Sequence, residues 1–215
     1  MQNNNVRISE TGRKNLGIKF LRLLIFVGAE ITTVLVIIIN SYNDLVKYRN
    51  RYKNAYAQIN VQLQRRYDLI PNLVETAKGY MKHEKETLEA IIAARNSAIT
   101  ISSSAAKNPG DSKKMKQLSS AEAALNNALN RLIVITESYP ELKADKAMGQ
   151  VMEELSSTEN RIAFARQAFN DAVTIYNIKR EAFPSNLVGD SFSFDSAYLL
   201  EGVTSEVRNP PRVSF

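Results

Sequence analysis

The sequence predicts an all-α protein: an N-terminal transmembrane helix followed by a long antiparallel four-helix bundle. Three observations carry that expectation. Residues 23–39, LLIFVGAEITTVLVIII, form one apolar run near the start of the chain. Beyond it, apolar residues recur every three or four positions over most of the sequence, which is the period of an amphipathic helix. Only 8 Gly and 6 Pro occur in 215 residues, so long stretches contain no helix breaker.

The elements follow in order. Residues 1–19 are a polar N-terminal segment, and the transmembrane helix is expected over 20–40. About 20 apolar residues at 1.5 Å each reach across a ~30 Å hydrocarbon core, with Arg22 extending toward the headgroups. The run is followed by IIINSYNDLV rather than by a small-residue cleavage site, so it reads as an uncleaved anchor and not a signal peptide. Arg7, Arg13, Lys14, Lys19 and Arg22 precede it, and Lys47, Arg49, Arg51 and Lys53 follow it. That near-balance leaves the orientation open under the positive-inside rule. Glu30 is an intramembrane polar group that either meets another protein or is accommodated by local water and lipid.

Residues 42–184 read as the bundle. Tyr42, Leu45, Tyr52, Tyr56, Ile59 and Leu63 form the stripe of a first helix over 42–68, continuing from the anchor. Asp68 as a cap and Pro71 in a first turn mark a corner, with a second helix over 71–101. Residues 102–114, SSSAAKNPGDSKK, read as a loop. A third helix carries a coiled-coil heptad through Leu118, Ala121, Leu125, Ala128, Leu132 and Ile135, and Tyr139-Pro140 ends it. The fourth spans about 146–182 and closes at Phe183-Pro184. Residues 185–215 form a C-terminal tail rich in aromatics but without helical period, and its order is left open.

This reading places Arg65, Arg66, Asp68 and Asn72 together at the distal end of the bundle. They form either a docking surface or a structural corner. Arg49 and Arg66 lie on or beside the first stripe, Arg95 on the second, and Glu159 and Arg166 on the fourth. Buried charges require partners, so Glu159 is expected either to pair with an arginine of a neighbouring helix or to reach water from the edge of the stripe. Asparagines beside aromatics, at Asn43, Asn170 and Asn177, suggest cross-helix hydrogen bonds or simple exposure.

Enzymatic constellations are missing. The chain has no Cys and a single histidine, His83, which neighbours Glu84, Glu86 and Glu89 without any metal-binding spacing. No nucleophile elbow or phosphate loop is present. No catalytic residue, cofactor or metal is therefore expected. The formal charge of +6 is spread among acids, with no nucleic-acid-binding motif, which points to membrane lipid rather than nucleic acid.

The segments YNDLVKYRN, AYAQINVQLQRRYDLIPNLVETAKGYMKHE, LEAIIAARNSA, SYPELKAD and ELSSTENRIAFARQAFNDAVTIYN closely resemble the LemA family, in the same order. The likeness runs from about Tyr42 to Pro184, and RR-x-DLIPNLVET-x-KGY is its most specific part. Tyr56 stands where many members have tryptophan, and Asn60 where many have aspartate. The resemblance implies a bacterial protein held in the inner membrane by one helix, with a helical bundle of unestablished molecular activity. The anchor, the long amphipathic helices and the missing catalytic constellations point to a protein partner or homo-oligomer; the likeness to a magnetosome branch of the family implies, as the alternative, a scaffold of internal membranes acting by oligomerisation and anionic-lipid contacts.

Overall fold

The computed structural model describes residues 3–201, with side chains from residue 21 onward. Among these residues the regular structure is entirely helical, with no strand. The helices are α1 (Asn3–Lys78), α2 (Lys85–Lys107), α3 (Ser112–Thr136), the short α4 (Pro140–Lys143), α5 (Lys146–Glu181) and α6 (Ser185–Ser191). The distal part of the C-terminal tail, 202–215, lies outside the described residues.

α1 joins the apolar run to the folded part without a break. Its 76 residues extend about 115 Å. The side chains from Leu21 to Ile39 are exposed on every side except at half-covered Ile38, as a lipid-facing span requires. Thr32 and Thr33 turn their hydroxyls back onto the carbonyl of Ala29, so neither polar group is left to the surroundings. Glu30 is exposed on this span.

The expected corner at Asp68–Pro71 is not there. α1 runs through Pro71 to Lys78, and the reversal is made by residues 79–84, which include His83. The reason lies in the phase of the apolar stripe. Tyr56, Ile59, Leu63, Ile70, Leu73, Val74 and Ala77 are all buried and keep 3-4 spacing across the proline. A break at residue 70 would rotate half of them out of the core. Arg65, Arg66, Asp68 and Asn72 therefore lie along α1 and not at its end.

The expected loop at 102–114 is likewise shorter. Ser102 and Ala105 are buried within α2, where small side chains let the helix approach α1, and only residues 108–111 link α2 to α3. Asp111 caps α3 by accepting from the Lys114 amide at 2.9 Å. Gly110 has a φ of 91°, the left-handed turn that the reversal needs. Asp145 caps α5 in the same way, accepting from the Met148 amide at 2.9 Å, and it also takes a hydrogen bond from the Tyr80 hydroxyl.

α5 packs along α1 in the opposite direction: Lys179 meets Asp44 at 2.9 Å near the apolar run, and Glu159 meets Arg66 further along α1. Tyr52, Tyr56, Phe169 and Tyr176 interlock there in tilted and edge-to-face pairs, with centroids 5.1–6.3 Å apart. α2 returns antiparallel on α1, and α3 packs on α2. α3 and α5 stand apart and leave a seam between them.

Candidate functional site

The charged centre of the molecule is Arg66. Its side chain is 5% exposed, beside a stripe that is otherwise apolar. One guanidinium nitrogen, Nη1, lies 3.1 Å from Glu122 Oε2 on α3 and 3.0 Å from Glu159 Oε2 on α5. Glu122 is 12% exposed while Glu159 is 47% exposed, so the inner carboxylate contributes most of the electrostatics. The Tyr67 hydroxyl donates to the other oxygen of Glu122. Burial pushes the Glu122 carboxyl above the ordinary glutamate range and nearby Glu159 adds to this, while Tyr67 and Arg66 pull it back. One arginine thus ties together three helices, two of which are separated by the seam.

Arg95 has a different and local task. Pro71 lacks the N–H that would bond the carbonyl four residues earlier, that of Tyr67. Arg95 on α2 donates its Nε to that carbonyl at 2.6 Å. The proline therefore sits inside a helix because a second helix satisfies the acceptor it strands. Arg65, Asp68 and Asn72 are exposed on α1, with Asp68 accepting from Gln64 at 2.8 Å.

Arg49 lies 4.6 Å from the ring centre of Phe194, stacked on the C-terminal segment. Arg166 is half-buried beside Glu159, Ser119 and Leu200. Glu122 escaped the sequence reading. It lies four residues after Leu118 and three before Leu125, so a lone acid inside the apolar stripe was its signal.

The seam between α3 and α5 holds the second feature. The half nearer the apolar run is filled by the chain itself, through the non-helical residues 194–201. Asn177 pairs with both backbone groups of Ala197, donating to its carbonyl at 2.8 Å and accepting from its amide at 3.0 Å. Asn170 does the same for Leu200, at 3.1 and 2.9 Å. Two helical turns separate the asparagines, about 10.5 Å, and three extended residues cover about 10 Å, so the two repeats match. The Tyr198 amide donates to the Gly110 carbonyl at 2.8 Å, Ser119 on α3 donates to the Glu201 carbonyl at 3.2 Å, and Ala197 and Leu200 are buried. The asparagines therefore grip an extended segment and do not bridge helices.

Among the described residues, the other half of the seam is a cleft of about 390 Å³. Its walls are Asn126, Leu129 and Ile133 of α3 and Met152, Leu155 and Asn160 of α5, and Arg66 and Leu73 reach its floor. The filled and open halves share one composition, apolar in the depth and amide-rich at the rim.

Comparison with known proteins bears on this geometry. The LemA family model matches residues 55–215. The chain is similar to Protein LemA of Metamycoplasma hominis, with 27% identity over 199 residues that cover 89% of this chain and 86% of that protein. It is also similar to magnetosome protein MamQ of Magnetospirillum gryphiswaldense, with 29% identity over 184 residues, 79% of this chain and 65% of that one. Magnetosome protein MamQ 2 of Paramagnetospirillum magneticum is 25% identical over 191 residues, 81% of this chain and 70% of that protein. With a family model spanning most of its length and relatives matched along the same stretch, the chain belongs to the LemA family.

Proposed function

We propose that this chain is a non-enzymatic protein-interaction module, anchored in the bacterial inner membrane by residues 20–40. Residues 42–184 form a four-helix bundle built on α1, α2, α3 and α5. Its open seam takes an extended segment from a partner protein or from a second copy. The observation that supports this reading is the filled half of the same seam. There an apolar floor and paired asparagine amides already hold Ala197 and Leu200 of the chain's own non-helical segment. The open half offers the same chemistry at Asn126, Asn130 and Asn160, above Leu129 and Leu155. Backbone pairing supplies affinity in such a mode and the apolar floor supplies selectivity.

A photocrosslinking residue at Ile133, on the cleft, tests it in cells carrying the full chain. A discrete adduct is expected, either with another protein or with a second copy, and Leu155→Arg should abolish it. The same residue at Ala124, on the opposite face of α3, should give none. No adduct from Ile133, with a strict monomer after detergent extraction, overturns the reading.

A second reading has its own support in the likeness to two magnetosome proteins: a scaffold of internal membranes acting through oligomerisation and anionic-lipid contacts. Each surface Lys or Arg near such a bilayer contributes about 1 kcal/mol. Binding of residues 42–215 to anionic vesicles should then weaken as salt rises, and salt-independent binding excludes the electrostatic basis.

A further inference from the structure

The apolar surface of this protein does not stop at the span. α5 ends at Glu181, and the chain turns through Phe183 and Pro184 into α6, which doubles back beside α1. α6 is seated firmly: Val188 is buried, and Gly189 is bare enough for α6 to lie against Arg180 and Leu45. The corner that this seating creates is apolar and faces outward. Phe183 is 80% exposed, Leu187 58% and Phe192 53%. With Val34, Ile37 and Ile38 they line one crevice of about 350 Å³.

The position of that crevice identifies what covers it. Val34 and Ile37 belong to the apolar run that ends at Ile39. Val34 lies five residues inside it, about 7.5 Å of helix. Amphipathic elements lying in a membrane interface reach about 5–10 Å below the headgroups. Anything seated on Val34 and Ile37 shares their depth, where the surroundings are acyl chains. Just outside the run stands an aromatic cluster, with Tyr42 edge-on to Phe192 and Phe194 at centroid distances of 5.2 and 5.4 Å. Aromatic groups collect at that level of a bilayer. Of the charges nearby, Lys179 pairs with Asp44 and Arg180 with Asp190, while Glu181 at the end of α5 is exposed.

From this juxtaposition we infer that the α5–α6 corner, led by Phe183 and Leu187, is a second membrane-contacting element that inserts into the lipid interface beside the span. The helical domain then stands on two supports, which prevents it from swinging about α1. This rests on the anchored reading of residues 20–40 given above.

The chain contains no tryptophan, so single-tryptophan variants report without background. Phe183→Trp, Leu187→Trp, Phe26→Trp and Phe164→Trp are each made in the full chain and reconstituted in phosphatidylcholine–phosphatidylglycerol vesicles. Part of the lipid carries bromine near the top of the acyl chains. Phe26 lies within the span, and Phe164 is 73% exposed on α5, away from the corner. Helical circular dichroism confirms the fold of each variant. Bromolipid should quench Phe183→Trp and Leu187→Trp by at least about twofold, as it does Phe26→Trp, and leave Phe164→Trp unchanged. Quenching of Phe26→Trp alone overturns the inserted corner and leaves the anchor standing. Quenching of none overturns both.

Discussion

The pairing of Pro71 with Arg95 can be separated from ordinary surface chemistry by a double-mutant cycle. Arg95→Met removes the Nε donor that meets the Tyr67 carbonyl at 2.6 Å and keeps most of the aliphatic stem. The other bond of Arg95, from Nη1 to Asn96 Oδ1 at 3.2 Å, is local and exposed and contributes little. A hydrogen bond from a charged donor contributes roughly 1.5–3 kcal/mol, and stranding a partly buried carbonyl costs a similar amount. Arg95→Met should therefore cost about 2 kcal/mol, or about 4–8 °C in Tm for a chain of this size. Pro71→Ala restores an N–H four residues after Tyr67, which supplies the missing ladder bond. With Pro71→Ala already in place, the loss from Arg95→Met should fall below about 1 kcal/mol, a coupling of at least ~1 kcal/mol. Urea unfolding of the full chain in detergent, followed by helical ellipticity, measures all four corners. Equal losses with and without Pro71→Ala would refute the argument, since Arg95 would then act independently of the proline.

Further predictions come from the buried charges and from the C-terminal segment. Arg66→Met leaves the Glu122 carboxylate enclosed without its cation and should cost about 3–5 kcal/mol at pH 7. Adding Glu122→Gln should recover much of that loss in the same unfolding assay, and a loss under about 1 kcal/mol would mean that water screens the cluster. Because the Glu122 carboxyl is raised, the folded state holds its proton to higher pH than the unfolded chain. The stability from this group is present at low pH and is lost as pH rises through the folded value. A carboxyl-carbon NMR titration should place Glu122 above ordinary glutamates, and a midpoint at or below theirs excludes the burial argument. Gly110→Ala would set a Cβ 3.0 Å from that of Ala197 at a left-handed φ, which costs at least about 1–2 kcal/mol. It should detach residues 194–201, as should Asn177→Ala, and both should speed hydrogen exchange at the Ala197 amide; unchanged exchange refutes the clamp.

Much of the architecture was legible because helical periodicity is local. The heptad from Leu118 onward and the fourth helix expected over about 146–182 match α3 and α5 closely, and the apolar run lies within α1. At Pro71 one residue's local preference conflicts with the phase of the stripe around it, and the phase prevails. Ser102–Lys107 carries the small polar residues of a loop, yet it continues α2 because those side chains serve close helix packing. Asn170 and Asn177 stand out in the sequence, but their partners lie 20 to 30 residues downstream in a segment without periodic signal.

The sequence alone determined the apolar stripes of the helices, that the chain is helical and that an apolar run lies near its start, because side-chain spacing and transfer free energy act within a few residues. Tertiary structure decided everything that depends on a partner distant along the chain. It made Pro71 compatible with a continuous helix by bringing Arg95 to the stranded carbonyl. It gathered Arg66, Glu122 and Glu159 from three helices, and it set Phe183 and Val34 around one crevice. Desolvation and hydrogen bonding depend on what surrounds a group in space, and that surrounding exists only once the helices have packed.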